Sequence, residues 1–372
     1  MGASQTKLPT KAIYSHTGIR GIAAMYVFLF HLFWAGGDGA LRANKFCQLF
    51  QWGGYSVDLF FVLSGFILNW VYLSETRVNW ASYLKARVAR ILPLYYLTTL
   101  LSLPIVIYSF NKYGMAYLSK GFSFPREIVL NLFMVSGICN LPTLNGPAWS
   151  ISVEFFCYLI VFPLLVVYSK KFAGDAKTFR LAIPIVLVAV LTYCAVTCYS
   201  AASIAIGGFQ WNPAKLARGI FGFSAGFLLC SIFRSSSNWS PTAGSINLII
   251  SVVMATFLLI GLHCLPGYLS LCAFPFLVFF TATDRGVAAS ILKMNIFQWM
   301  GERSYSIYLW HAVCVTILHN NFMKKHLGEF LSCVIVIVFA LCISELSYRW
   351  FECPAREFIR RIGRRSHSIN KG

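Results

Sequence analysis

Charge is what this 372-residue sequence has least of. Only 12% of its residues are Asp, Glu, Lys or Arg, about half the share found in ordinary soluble domains. With 58% hydrophobic residues and a mean hydropathy of +0.68, that excludes a soluble globular domain. Acidic residues are scarcest, 12 against 31 Lys and Arg, which leaves a net charge of +19. In so apolar a chain this excess marks cytoplasmic loops beside anionic headgroups, and no nucleic-acid partner is expected. A C-x-x-C pair is missing as well. Of the twelve cysteines, Cys157, Cys194, Cys198, Cys230, Cys272 and Cys342 lie inside apolar runs and read as small buried hydrophobes; Cys47 and Cys139 fall in loops. No Cys, His or carboxylate cluster has metal-ligand spacing, so no metal is expected. Internal repeats and matching broken segments are absent too, which speaks against a repeat-built transporter.

Long apolar runs are what the chain has instead. They predict spans at Thr17–Ala35, Tyr55–Leu73, Ile91–Phe110, Trp149–Tyr168, Leu181–Ser200, Leu216–Phe233, Ile246–Leu262, Gly267–Thr283, Ser304–Asn320 and Phe330–Trp350. The fold class is therefore all-α: a polytopic integral membrane protein with about ten transmembrane helices. Ile128–Ile138 is too short to cross and reads as a re-entrant or interfacial piece. Lys7 and Lys11 before an apolar run imitate a signal peptide, and Ala40-Leu41-Arg42-Ala43 weakly imitates a cleavage site. The run is too long for that, and we expect an uncleaved first helix. With both termini inside, 21 Lys and Arg fall on the inner side and 8 on the outer, which predicts an N-in/C-in topology. The chain then divides into a cytoplasmic segment (1–16), a transmembrane domain (17–350) and a basic cytoplasmic tail (351–372).

The first span carries two groups that a lipid-facing helix should not have, Arg20 and His31. Eleven residues separate them, about three turns, so both project from one face roughly 16 Å apart along the axis. The alternative is that Arg20 snorkels to the headgroups and His31 bonds a neighbouring helix. The topology sorts the polar residues into two layers. His31, Asp58 and Glu154, with Ser150 and Ser152 beside it, fall near the outer face. A histidine with two carboxylates suits general-base work, because a carboxylate fixes the imidazole tautomer and stabilises its charged form. The inner layer holds Arg20, Arg87, Arg90, Arg303 and Arg349. Several arginines suit a phosphate clamp, although positive-inside bias alone places them there.

These residues stand in a recognisable order. The first span, GIRGIAAMYVFLFH, has an arginine, ten residues and a histidine. The second, GGYSVDLFFVLSGFIL, carries Gly54, Asp58, Phe60, Phe61, Ser64 and Gly65. RVARILPLYY carries Arg87, Arg90, Pro93 and Tyr96, and WSISVEFFCY carries Trp149, Ser150 and Glu154. Further on come ARGIFGFSAGFLL, GERSYSIYLWH with Gly301, Ser304, Tyr305, Tyr308 and His311, and SYRWFECPARE with Glu352, Pro354 and Arg356. Taken together, over nearly the whole chain, these seven blocks resemble the acyltransferase type-3 family of bacterial membrane enzymes.

That resemblance implies transfer of an acyl group, most often acetyl, from cytoplasmic acetyl-CoA to a hydroxyl of an envelope glycan or another exported acceptor. It implies a location in the cytoplasmic (inner) membrane of a bacterium, with acyl-CoA, a glycan or lipid-linked saccharide, and membrane lipids as partners. His31 would deprotonate the hydroxyl, with Asp58 or Glu154 orienting it. Arg20, Arg87 and Arg90 would hold the CoA phosphates, with Ser64, Tyr305 and His311 at the donor site; His311 as a structural histidine is an equal alternative. Ser64 or Ser150 as the bearer of an acyl-enzyme ranks lower, since neither has a histidine at local spacing. Gly65, seven residues from Asp58 on the same face, either leaves a channel for the pantetheine arm or serves close helix packing. The chain ends after the membrane core, so the stand-alone type is expected rather than one with an appended extracytoplasmic domain. The soluble acyltransferase pattern is absent, because Asp38 follows His31 by seven positions. A proton-coupled exporter of a lipid-linked saccharide is the rival reading, and a non-catalytic scaffold is a third.

Overall fold

The computed structural model describes residues 12–35, 39–73, 78–113, 124–138, 143–172, 204–206, 209–211, 213–235, 241–267, 269–316 and 328–362. In hydrocarbon every backbone N–H and C=O has to find its partner within the segment, and the apolar runs accordingly form helices. In chain order these are α1 (Tyr14–Leu29), α2 (Gly39–Ala43), α3 (Lys45–Gln48), α4 (Ser56–Tyr72), α5 (Trp80–Tyr113), α6 (Phe124–Leu132), α7 (Trp149–Phe156) and α8 (Phe162–Phe172). They continue with α9 (Pro213–Ser235), α10 (Ala243–Gly261), α11 (Leu269–Thr281), α12 (Gly286–Leu292), α13 (Asn295–Glu302), α14 (Ser304–Cys314), α15 (Glu329–Ser347) and α16 (Cys353–Arg361). A short antiparallel ribbon, Ile204–Ile206 with Phe209–Trp211, is a small non-helical addition to the expected all-α fold.

Among the described residues, seven helices are long and apolar enough to cross a membrane. They number eight if α11 and α12, bent by 88° at their junction, form one broken span. The protein is thus an integral membrane protein built of helices. The expected span Leu181–Ser200 lies outside the described residues, and Ser304–Asn320 is described only as far as Thr316. The short piece anticipated at Ile128–Ile138 corresponds to α6, nine residues pinned from α5. Tyr95 Oη donates to the Asn131 carbonyl at 2.8 Å, and Tyr96 Oη donates to that of Leu132 at 3.0 Å.

Two glycine contacts set the helix arrangement. A Cβ at Gly65 of α4 would overlap the Phe223 carbonyl of α9, and a Cβ at Gly226 of α9 would overlap the Val62 carbonyl of α4. Backbone therefore lies on backbone, the close approach that small residues permit between helices in lipid. Gly65 serves this packing, and the channel considered for it is filled by α9. In the same way Gly301 sits against the Thr17 carbonyl and Gly21 against Met300, which lays α1 beside α13 and α14. Around these crossings Phe61, Phe162, Phe223, Phe227 and Tyr95 are fully buried. Leu248, Val252 and Leu258 of α10, with Phe330 and Val338 of α15, remain exposed and form a lipid-facing surface.

Candidate functional site

α1 and α14 run side by side in the same direction, Thr17 meeting Gly301 near one end and His31 meeting His311 near the other. α7 and the residues before it lie along them in the opposite sense, with Asn145 bonded to Leu309 and Ser150 bonded to Tyr308. A narrow cavity of about 50 Å³ lies in this bundle. Its wall includes Arg20 from α1, Ser64 from α4, Arg90 from α5, Ser150 and Glu154 from α7, and Tyr305 and Tyr308 from α14.

Glu154 is the centre of that cavity's hydrogen bonding. Ser64 Oγ donates to its Oε1, and so does Tyr158 Oη, at 2.5 Å. Tyr158 follows Glu154 by four residues, one helical turn, and stands on the π-helical turn Cys157–Val161. Arg20 Nη2 donates to the Gly301 carbonyl at 3.2 Å, and Glu154, Arg90 and Arg356 lie within its electrostatic reach. Among the described residues its buried Nε has no hydrogen-bond partner. Arg356 donates through Nη2 to Glu352, whose Oε2 also accepts from Ser306 Oγ at 2.5 Å. Arg20 and Arg90 thus share the cavity wall with Glu154, while the nearby Arg356 is paired with Glu352.

Deeper along α1, the two histidines lie together. The ring centroids of His31 and His311 are 5.0 Å apart. His31 Nδ1 lies 2.9 Å from the Val27 carbonyl, and His311 Nδ1 lies 3.3 Å from the Ile307 carbonyl. A carbonyl can only accept, so each Nδ1 carries the proton and each Nε2 keeps a lone pair. His311 is completely buried, and its Nε2 has no partner among the described residues. The π-helical turn Phe30–Ala35 begins beside His31, the kind of local widening often found at functional positions. Between the histidines and the arginines, Ser150 Oγ and Tyr308 Oη lie 2.7 Å apart, and both reach the Pro147 carbonyl.

The expected outer layer of His31, Asp58 and Glu154 is not the arrangement found. Glu154 shares its cavity with Arg20 and Arg90, because the helical path into α7 starts at Gly146 and carries residue 154 deep into the bundle. Asp58 receives Arg218 in a two-pronged pair, Nε to Oδ1 at 3.1 Å and Nη2 to Oδ2 at 2.6 Å. The guanidinium of Arg218 also lies over the Trp149 ring, 5.2 Å from its centroid. The helix carbonyl of Val27 does for the His31 tautomer what a carboxylate was expected to do. His311 packs on His31 rather than at the arginine end.

The inner arginines divide as well. Arg87 sits among the rings of Tyr72, Tyr83 and Tyr158, 5.6–6.0 Å from their centroids. Arg303 pairs with Glu302 and Glu345, and Arg349 with Glu345, so Glu345 neutralises this part of the layer. Ser64 and Tyr305 do line the cavity, although Tyr305 Oη is committed to the Ile91 carbonyl at 2.7 Å. Sequence reasoning named Tyr308 and Arg356 only as motif positions, and it passed over Tyr158 and Arg218. Two signals pointed to them: the four-residue step from Glu154 to Tyr158, and the demand of a membrane-embedded Asp58 for an embedded cation.

Comparison with known proteins places this geometry. The acyltransferase domain family (Acyl_transf_3) matches residues 13–349. The chain is 21% identical over 367 residues to the O-acetyltransferase OatA of Staphylococcus aureus strain NCTC 8325, covering 91% of this chain and 56% of that protein. It is 23% identical over 381 residues to the peptidoglycan O-acetyltransferase OatA of Listeria monocytogenes serovar 1/2a, covering 95% and 57%. Acyltransferase MdmB of Streptomyces mycarofaciens is 32% identical over 158 residues, 40% of this chain and 38% of that protein. The chain spans a little over half the length of the two OatA relatives. No solved structure matches. With a match running from the first helix to the last span, the chain belongs to the acyltransferase domain family.

Proposed function

We propose that this protein is a membrane O-acyltransferase that moves an acyl group, acetyl in the first instance, from cytoplasmic acyl-CoA to a hydroxyl of an exported or envelope glycan. The observation that carries this reading is the division of labour along α1. Arg20 opens on an arginine-lined cavity, and His31, about three turns further, keeps a lone pair on Nε2 because its Nδ1 is bonded to the Val27 carbonyl. Phosphates are polyanions that recognise guanidinium forks, and Arg20 and Arg90 supply such forks at one end. The thin pantetheine arm runs from there toward Ser150 and Tyr308. Because the cavity holds only about 50 Å³, binding displaces these side chains as the arm enters.

In the transfer step the acceptor hydroxyl gives its proton to His31 Nε2 while its oxygen attacks the thioester carbonyl carbon. The tetrahedral intermediate collapses with cleavage of the carbon–sulfur bond. The CoA thiolate leaves and takes the proton back from the imidazolium, so the enzyme returns to its starting state. Positioned acid–base groups of this kind contribute about 10²–10⁴-fold. Glu154, held by Ser64 and Tyr158, sets the charge balance among the arginines. Asp58, tied to Arg218, organises α4 against α9.

The topology that suits this reading is about ten spans with both termini inside, in the inner membrane of a bacterium, so that Arg20 faces the cytoplasmic donor and His31 the exported acceptor. Kinship to proteins called O-acetyltransferase and peptidoglycan O-acetyltransferase favours an envelope glycan as acceptor. The test is mass analysis of surface polysaccharide from cells with and without this chain, alongside release of CoA by the purified protein in detergent. Acyl groups present only with the chain are expected; identical glycans in both would refute the reading.

A further inference from the structure

Beyond the arginine-lined cavity, on the far side of the Ser150–Tyr308 hydrogen bond, the bundle holds a second and much larger cavity of about 340 Å³. We propose that it is the binding site for the acceptor, and that its chemistry selects a neutral, hydroxyl-rich ligand: a saccharide unit. This deepens the acyltransferase reading and rests on it.

The position follows from two helical stretches. α14 turns Tyr305 and Tyr308 into the first cavity; one turn further Ala312, and then Thr316 just past the helix, line the second. On the antiparallel side, Ser150 and Glu154 line the first, while Thr143 and Asn145 line the second. Ser150 and Tyr308, which line the first cavity, lie between the two sets of lining residues along both stretches. His311 packs 5.5 Å from the Tyr308 ring and 5.0 Å from the His31 ring, centroid to centroid. The histidine pair lines neither cavity among the described residues, but it packs through His311 against Tyr308, which lies between them along α14.

The lining decides the chemistry. Among the described residues that line this cavity, none is ionisable. Its polar groups present lone pairs instead. Ser102 Oγ already donates to the Thr98 carbonyl at 2.8 Å, and Thr143 Oγ1 donates to that of Gly146 at 2.6 Å. Asn145 Nδ2 donates to the Leu309 carbonyl at 3.2 Å; since a carbonyl cannot donate, the amide orientation is fixed. Its Oδ1 is buried and has no partner among the described residues. A buried acceptor of this kind calls for a donor. A ligand with several O–H donors satisfies all three oxygens at once, and Val106 and Val313 offer apolar wall for the C–H face of a sugar ring. The volume lies within the range of small-molecule sites, about 300–1,000 Å³.

The experiment uses the full-length chain in its own cells, with the native envelope glycan as the probe. Ala312→Phe fills the cavity, and acyl groups on the glycan are expected to fall by about tenfold or more, with the purified variant monodisperse and melting at the wild-type temperature. Thr316→Cys provides a second route that leaves folding untouched. A charged methanethiosulfonate reagent added to intact cells should block acylation in the variant and not in wild type, and a reducing agent should restore it. Wild-type acylation in both Ala312→Phe and labelled Thr316→Cys cells would overturn the assignment. If wild-type cells themselves carry no acyl groups that depend on the chain, it is the acyltransferase reading that fails, and the two failures are distinct.

Discussion

His31 and His311 face each other with ring centroids 5.0 Å apart, and each is tied through Nδ1 to a carbonyl of its own helix. Both Nε2 atoms therefore carry lone pairs, and a proton arriving at His31 meets a neutral imidazole rather than a second charge. His311→Phe keeps the packing and removes that lone pair. It is expected to slow acyl transfer by about tenfold, the scale of one weakened hydrogen bond to a charged group. His31→Phe should slow it by about a hundredfold or more. Steady-state acylation rates of the two variants give the order directly; equal rates for His311→Phe and wild type would remove the second histidine from the mechanism.

Asp58 is almost fully buried and receives both prongs of Arg218. Removing one partner of such a pair leaves an uncompensated charge, at a cost of about 3–5 kcal/mol. Asp58→Asn is therefore expected to lower the unfolding temperature in detergent by roughly 5 degrees, and the double variant Asp58→Asn with Arg218→Met should recover much of the loss. An unchanged melting temperature in Asp58→Asn would show that the pair does not hold α4 to α9.

The α4–α9 crossing allows a graded test. Gly226→Ala drives a methyl group into the Val62 carbonyl, whereas a Cβ at the neighbouring Gly222 comes no closer than 3.0 Å, to the Phe61 Cβ, with the Asp58 carbonyl at 3.5 Å. Overpacking costs about 1–3 kcal/mol, more where backbone blocks the way. Size-exclusion profiles should show Gly226→Ala aggregated or poorly extracted and Gly222→Ala close to wild type. The reverse order would contradict the packing described.

Much of this arrangement was legible in the chain. Apolar length alone located α1, α4, α9 and α10, because lipid leaves the backbone no alternative to helix. The Arg20–His31 spacing was sufficient to place two polar groups on one inward face. Depth was the hard part. A residue's level in the membrane depends on where its helix begins to cross, and the turn at Gly146–Ala148 starts the path to Glu154 earlier than hydropathy suggested. Pairing was equally hidden: nothing in the spacing of Asp58 and Arg218, 160 residues apart, announces their contact. The tautomer of His31 depends on a backbone carbonyl, which no residue pattern displays.

The N-in/C-in orientation proposed from the distribution of basic residues has its own test. Cysteines introduced singly at exposed Arg42 and Arg361 should differ: a membrane-impermeant maleimide added to intact cells should label Arg42→Cys and spare Arg361→Cys until the cells are opened. Labelling of Arg361→Cys in sealed cells would invert the topology.

The central claim is that donor binding and proton removal lie at opposite ends of the same helix face. The direct measurement is CoA affinity by calorimetry, together with glycan acylation by mass, for Arg20→Ala and His31→Ala prepared in the same membranes. Arg20→Ala should bind CoA more weakly, by roughly 1.5–3 kcal/mol for a lost charge-assisted contact, and Arg20→Lys should recover only part of it. His31→Ala should bind CoA as wild type does and fail to acylate. If His31→Ala loses CoA binding while Arg20→Ala keeps it, the donor sits at the histidine end and the account is wrong.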